Sequence, residues 1–144
     1  MRIVVQSAPF APVAAMQGFG GPGTGAIVTF TGLVRDDSGT MQALELEHYP
    51  GMTERRMAEI AGEAQARWQL TDVLVIHRYG RFAVGETIMM VATAARHRAA
   101  AFEAAEFLMD YLKSRAPFWK KEIGAEGEAW VAAKDADEVA LKRW

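Results

Sequence analysis

The sequence predicts an α+β protein whose sheet is mostly antiparallel and is accompanied by two main helices. In chain order the predicted elements are β, β, β, α, β, β, α, β, β, so strands often follow one another without an intervening helix. This order differs from the alternation of a doubly wound α/β fold. With 144 residues, of which 51% are hydrophobic and 24% charged, the chain can bury a core of its own. We therefore expect a single domain over residues 1–144.

The first third of the chain predicts three strands. A short strand is expected at Arg2–Gln6, followed by a glycine-rich stretch. Residues 18–25 lack the Gly-Lys-Ser/Thr ending of a phosphate loop, so we interpret them as a flexible connection without an assigned function. Residues 25–35 are rich in β-branched side chains and predict a strand ending at Arg35. Residues 42–49 alternate between apolar and polar and predict a half-buried strand, paired antiparallel with its predecessor.

The first helix is predicted over "PGMTERRMAEIAGEAQARW", residues 50–68. Thr53 is expected to cap its start, because a threonine hydroxyl can accept a backbone N–H that has no partner within the helix. Apolar residues at helical spacing predict the buried stripe. These are Met57, Ile60, Ala61, Ala64 and Trp68.

Two further strands are predicted at residues 72–80 and 86–95, before a second helix over Ala99–Arg115. Pro117 ends this helix, because proline restricts the preceding residue and cannot donate to the helical ladder. The apolar face of the helix is predicted to contain Ala101, Phe102, Ala105, Leu108, Met109 and Leu112.

The C-terminal part predicts two short strands, at residues 118–123 and 128–133. The charged tail at residues 135–144 is expected to fray. No apolar run approaches the roughly 20 residues that a membrane-spanning helix needs. The N-terminal residues are too polar for a signal peptide, so we expect a cytoplasmic location.

Composition narrows the possible functions. The net charge of −2 argues against a surface built to bind nucleic acid, so any cationic site must be local. The absence of cysteine excludes disulfides, thiolate metal sites and a sulfur carried on the chain itself. The three histidines lack metal-ligand spacing, and no dinucleotide-binding signature is present, so we expect neither a metal nor a bound cofactor.

One cationic stretch stands out in "DYLKSRAPFWKKE", where four basic residues fall within nine positions. Lys113 and Arg115 complement the negative end of the helix dipole, which explains them without a functional role. Lys120 instead shares a strand face with Phe118 and Glu122. A lysine beside apolar surface can have a lowered pKa and act as a general acid or base. The alternative is a lysine that extends along an edge strand to reach solvent.

A second cationic group, Arg96, His97 and Arg98, precedes the same helix. Cations are unfavourable at the positive end of the helix dipole, so this placement indicates either anion binding or a solvated loop. Arg35 is by itself explained as a solvated strand end, and His48 and His77 as core or rim residues. From the residues alone, we predict a soluble α+β domain with an anion pocket. Its candidate members are Arg35, His97, Arg98, Lys113 and Lys120.

Nearly the whole chain resembles the MoaE family, the large, catalytic subunits of molybdopterin synthase. The segments that carry the resemblance are "GAIVTFTGLVR", "LELEHYPGMTE", "VIHRYG", "RHRAAAFEAAEFLMDYLKSRAPFWKKE" and the terminal "KRW". The resemblance implies an α/β-hammerhead fold and a homodimer. Each end of this dimer is expected to bind a small ubiquitin-like subunit, giving a heterotetramer.

The resemblance also implies a sulfurtransferase reaction. The C-terminal Gly-Gly tail of the small subunit would carry a thiocarboxylate into the active site. Sulfur would then pass to cyclic pyranopterin monophosphate and form the dithiolene of molybdopterin, a step of molybdenum cofactor biosynthesis. No nucleic acid or membrane partner is implied.

Site residues follow from the same resemblance. Lys113 and Lys120 are implied as catalytic, suited to proton transfer and charge stabilisation. Arg35, His97 and Arg98 suit a phosphate, which arginine binds bidentately. The full set of substrate-binding positions implied is Leu33, Val34, Arg35, His97, Arg98, Lys113, Lys120, Lys121 and Glu122.

Two alternatives fit the residues less completely. One is a binding module that docks a ubiquitin-like tail without catalysis. The other is a local RNA or nucleotide binder, in which Phe118 and Trp119 stack on bases beside the basic cluster.

Overall fold

The computed structural model of the protein describes residues 1–132 and 134–144. Within these ranges, eight strands form two four-stranded sheets, accompanied by four helices. The strands are β1 Arg2–Gln6, β2 Ala26–Leu33, β3 Met41–His48, β4 Asp72–Arg78, β5 Gly80–Phe82, β6 Thr87–Ala95, β7 Phe118–Gly124 and β8 Gly127–Trp130. The helices are α1 Pro12–Ala15, α2 Met52–Trp68, α3 Arg98–Arg115 and α4 Asp135–Leu141.

The first sheet has the strand order β1-β4-β6-β2, and only β1 and β4 run parallel among its described pairs. The second sheet, β5-β3-β7-β8, is antiparallel throughout the described residues. The predicted α+β class with mostly antiparallel strands is therefore confirmed. In the β2–β6 pair, Ala26 lies opposite Ala95 and Leu33 opposite Thr87. The chain segments that follow β2 and β6 therefore leave opposite ends of the first sheet.

The predicted pairing of the second and third strands is wrong, because β2 and β3 belong to different sheets. Beyond β2, the backbone of Val34 pairs instead with Gly85 and Glu86. The turn that follows is held by the Asp36 carboxylate, which accepts hydrogen bonds from the Ser38 hydroxyl and from two backbone N–H groups. This turn directs the chain into the second sheet, where β3 lies between β5 and β7.

Helices α2 and α3 pack on one face of the first sheet and enclose the main core. The predicted stripe of α2 is confirmed for Met57, Ile60, Ala61 and Ala64, which are all buried. On α3 the prediction is wrong for one residue: Phe102 is 61% exposed. Its neighbour Ala101 is fully buried, and one helical step rotates the side chain by about 100° out of the buried stripe.

The start of α2 differs from the prediction in a way that matters for the site. Gly51 occupies the cap position, and the Glu54 carboxylate accepts its backbone N–H at 2.7 Å. Thr53 lies inside the first turn and is fully buried. Its hydroxyl accepts the Tyr49 N–H and donates to the Pro117 carbonyl, both at 2.9 Å. Thr53 therefore joins the start of α2 to the segment that leads into β7.

The predicted fraying of the C-terminal tail is also wrong, because the tail forms α4 and docks on α3. Arg115 forms a two-pronged ion pair with Glu138, at 2.6 and 3.1 Å. The Trp144 indole N–H donates to Asp110 at 2.6 Å. The preceding strand β8 ends at Trp130, earlier than predicted, and residue 133 of that prediction lies outside the described residues. None of the described helices is long and apolar enough to cross a membrane.

Candidate active site

Lys120 lies at the centre of the candidate site because of the break after α3. Ala116 adopts an extended conformation, as a residue before proline should, and the chain turns into β7. In the β3–β7 register, Lys120 lies opposite Leu46 and Glu122 opposite Leu44. Paired side chains lie on the same face of a sheet, so Lys120 extends beside buried leucines and is itself half-buried.

The surroundings of Lys120 disfavour its charged form. Burial is the main cause that lowers the pKa of Lys120, and the charges of Lys113 and Lys134 lower it further. The carboxylates of Glu122 and Asp137 oppose these effects. A lysine with a lowered pKa can exchange a proton at a pH closer to neutrality, which an exposed lysine cannot do as readily.

Lys113, the second residue implied as catalytic, acts electrostatically on Lys120. Lys113 lies exposed in the last turn of α3 and complements the helix dipole. Its charge nevertheless acts on Lys120 across the break at Pro117. We call the face of β7 that carries Lys120 and Glu122, together with Lys113 whose charge acts on it, the Lys120 face.

The segment after β2 borders the same face. Val34 is buried and packs with Leu44 and Leu46, the residues opposite Glu122 and Lys120. Leu33 is exposed. The Arg35 guanidinium is paired with the Asp37 carboxylate at 2.9 Å, and both side chains are 74% exposed. Arg35 could therefore exchange Asp37 for an anionic ligand without a buried charge being left behind.

Lys121 is directed away from Lys120, because adjacent residues of a strand point to opposite faces. Its ammonium lies 3.2 Å from Glu128 and 4.7 Å from the centre of the Trp130 ring. The hydrogen bond to Glu128 raises the pKa of Lys121. The structure therefore does not bring the Lys121 side chain together with Lys120, whereas Glu122 is exposed on the Lys120 face.

His97 and Arg98 are also separated from this face within one chain. His97 caps α3, Arg98 begins it, and both are exposed. His97 and Lys113 are 16 positions apart, which corresponds to roughly 24 Å along the helix. The predicted residues thus form two groups at opposite ends of α3, and one chain does not assemble them into a single pocket.

Sequence reasoning missed residues that tertiary contacts bring to the Lys120 face. Lys134 and Asp137 come from the tail that was expected to fray, and their charges act on Lys120. His77 was interpreted as a core or rim residue, and it is indeed partly buried. Its ring stacks on Phe118 with centroids 3.8 Å apart. No local pattern in the sequence predicts these contacts.

The fold and the site together define an α+β protein with a cationic surface centred on a half-buried lysine. A family model described as MoaE protein matches residues 5–115 of the chain. The chain therefore belongs to the MoaE family.

Individual relatives extend the match to the end of the chain. The molybdopterin synthase catalytic subunit of Cereibacter sphaeroides is 68% identical over 146 aligned positions, covering 100% of both chains. The structure of a MoaE protein from Burkholderia ambifaria is 48% identical with a TM-score of 0.83, covering 99% of this chain and 97% of the other. A complex of subunits 1 and 2 of the Helicobacter pylori molybdopterin-converting factor has a TM-score of 0.76 and covers 92% and 90%. At 18% identity, that likeness concerns the fold alone.

These comparisons confirm the resemblance seen in the sequence. They place the chain in molybdenum cofactor biosynthesis, as a catalytic, sulfur-transferring subunit of molybdopterin synthase. They also decide for an enzyme over the binding module and the RNA binder considered above.

Proposed function

We propose that the Lys120 face is the site at which sulfur passes from the C-terminal thiocarboxylate of a small ubiquitin-like subunit to cyclic pyranopterin monophosphate. The observation that carries this proposal is the half-buried Lys120, with its lowered pKa, beside the charge of Lys113. The chain has no cysteine, so the sulfur has to arrive on another molecule. A tail that ends in a thiocarboxylate is anionic and is attracted to this pair of lysines.

The two lysines suit the bond changes that the transfer requires. The sulfur of the tail forms a bond to a carbon of the pterin as that carbon loses an oxygen substituent, and the bond from the sulfur to the tail carbonyl must then break. Attack of water on that carbonyl places negative charge on the carbonyl oxygen. A fixed ammonium beside this oxygen stabilises the charge, and a neutral amine can accept the proton of the attacking water. Lys113 and Lys120 together can supply one group in each state.

The phosphate of the substrate is assigned to His97 and Arg98, with Arg35 at the border of the Lys120 face. The guanidinium of arginine matches phosphate oxygens, and the start of α3 presents backbone N–H groups without helical partners. Within one chain, His97 and Lys113 are separated by roughly 24 Å of helix. We therefore assign His97 and Arg98 at each site to a second copy of this chain, in a homodimer.

Each Lys120 face of this homodimer takes one small subunit, which gives a heterotetramer. The solved complex of two molybdopterin-converting factor subunits supports a small-subunit partner, since one subunit shares this fold. The thiocarboxylate and the pterin substrate follow from the family resemblance and from the charge of the site.

The direct test combines the protein with a thiocarboxylated small subunit and cyclic pyranopterin monophosphate, and measures the dithiolene product. The proposal expects product with the wild-type chain and a severe loss with Lys120→Ala. Product formation by Lys120→Ala near the wild-type rate would remove the Lys120 face as the active site. A small subunit with an ordinary carboxylate serves as the control, because it binds but carries no sulfur.

A further inference from the structure

His77 stands at the end of an apolar row on β4. Val73, Val75 and His77 alternate along the strand and therefore point to the same face. The two valines are fully buried in the main core. At His77 the row reaches Phe118, the first residue of β7, two positions before Lys120. A polar ring thus lies where the main core meets the Lys120 face.

The His77 ring is fixed by two contacts. Its Nδ1 atom lies 2.9 Å from the carbonyl oxygen of Arg78, and its face stacks on Phe118 with an interplanar angle of 22°. The Arg78 residue is itself held, because its buried guanidinium donates to the carbonyls of Ser7 and Thr87. A carbonyl oxygen can only accept, so Nδ1 carries the hydrogen and Nε2 of the neutral ring keeps its lone pair.

The ring stays neutral across the physiological range. Burial is the main cause that lowers the pKa of His77 to about 4, and the positive charges of Lys120 and His48 act in the same direction. The hydrogen bond to the Arg78 carbonyl opposes them. The groups that act on this ring come from three strands: Lys120 on β7, His48 on β3 and Arg78 on β4.

Nε2 of His77 remains available to a donor. Among the described residues, the Ser114 hydroxyl is the one fully buried side-chain polar atom without a hydrogen-bond partner. Nε2 accepts no hydrogen bond from the described protein groups, yet it is not in that fully buried class. It therefore opens to accessible space. Lys120 lies on the same face of β7 as Phe118, on which the His77 ring stacks, so its side chain is on the His77 side of this strand.

We propose that His77 is a positioning residue for Lys120: the clamped imidazole presents its unprotonated Nε2 as a fixed acceptor for the Lys120 ammonium. A lysine has a flexible four-carbon stem, so a half-buried amine needs a rigid partner to hold one orientation. The Arg78 carbonyl sets the tautomer and Phe118 sets the ring plane, so the acceptor is preorganised before substrate binds. This inference rests on the proposed catalytic role of Lys120.

The first test uses the wild-type protein and does not depend on activity. Nitrogen NMR of the histidine rings should show His77 as the Nδ1–H tautomer, with Nε2 unprotonated from about pH 6 to about pH 8. Free histidine favours the other tautomer, so the signal is distinctive. An Nε2–H tautomer, or a titration near the ordinary histidine pKa, would overturn the inference.

The second test compares His77→Phe with His77→Gln. Phenylalanine keeps the stack on Phe118 but has no acceptor, and kcat should fall on the order of 10²-fold with little change in KM. Glutamine can place an amide oxygen near the Nε2 position, so kcat of His77→Gln should be at least roughly tenfold higher than kcat of His77→Phe. Lys142→Ala is the control, because Lys142 is exposed at the end of α4 and has no role in the proposed site. Its turnover should stay within about twofold.

A third readout separates positioning from a merely structural role. An acceptor stabilises the ammonium, so its loss should lower the pKa of Lys120 further and move the corresponding limb of the pH–rate profile to lower pH. If Lys120→Ala is active, the proposed function fails. A different outcome would be an inactive Lys120→Ala together with a His77→Phe variant that has the wild-type rate and the wild-type pH–rate profile. In that case the positioning role of His77 fails and the proposed function stands.

Discussion

Replacement of Lys120 by alanine should abolish most turnover while leaving the fold intact. The substitution keeps the backbone pairing of β7 with β3. The variant loses the packing of the aliphatic stem of Lys120. This loss is offset because a charged amine is no longer buried or repelled by Lys113 and Lys134. We therefore expect the free energy of unfolding to change by no more than about 1 kcal/mol.

The expected loss of rate is much larger. Removal of one group that stabilises a developing oxyanion costs on the order of 10²–10³-fold, or about 3–4 kcal/mol of transition-state stabilisation. A lost proton-transfer role adds to this, in the range of 10²–10⁴-fold for general acid–base catalysis. The assay is dithiolene formation under single turnover, with thermal unfolding of the variant measured in parallel.

Two companion variants show which role has been removed. Lys120→Arg keeps a positive charge that does not deprotonate, so it should retain charge stabilisation and lose proton transfer. Lys142→Ala removes an exposed lysine from the end of α4 and should turn over at the wild-type rate. A Lys120→Ala protein that is folded and within a few-fold of the wild-type rate would refute the reasoning.

Three further predictions concern other residues. Arg98→Ala should weaken pterin binding more than binding of the small subunit, because its guanidinium is assigned to the phosphate; equal losses in titrations with both ligands would contradict this. Lys113→Arg should keep the charge at the end of α3 but lower turnover by roughly tenfold or more if the amine transfers a proton; a wild-type rate would show that Lys113 only complements the helix dipole. His77 has a folded pKa of about 4, below its ordinary 6.5. The unfolded chain therefore binds the proton first, and stability should fall as pH drops from about 6.5 to about 4. Urea unfolding should show a shallower acid loss for His77→Phe than for the wild type, and equal slopes would count against the buried neutral ring.

Local patterns predicted much of the secondary structure. The helical spacing of α2 and the proline that ends α3 gave nearly correct bounds, because both depend on neighbouring residues. Strand partners were less predictable. The alternation in β3 identifies a half-buried strand but not its neighbours, which depend on the turn at Asp36 and on the distant β7.

The candidate site was likewise predictable only in part from the sequence. The environment of Lys120 was predictable because Phe118 alternates with it along one strand. The contacts of His77 and Lys134 were not, because they join segments distant in sequence. The separation of His97 from Lys113 could have been read from the sequence, since a continuous helix of that length holds its two ends apart. A single pocket that uses both ends of α3 therefore needs a second chain, as proposed above.

The most direct test of the central claim is a purified heterodimer of one Lys120→Ala chain and one Arg98→Ala chain. If Lys120 of one copy acts with Arg98 of the other, one of the two sites is intact, and dithiolene formation should reach about half of the wild-type rate. Each variant homodimer should remain impaired. A control heterodimer of Lys120→Ala with Lys113→Ala has a defect in both sites and should recover nothing. A Lys120→Ala/Arg98→Ala heterodimer no more active than its parent homodimers would contradict a site shared between two copies.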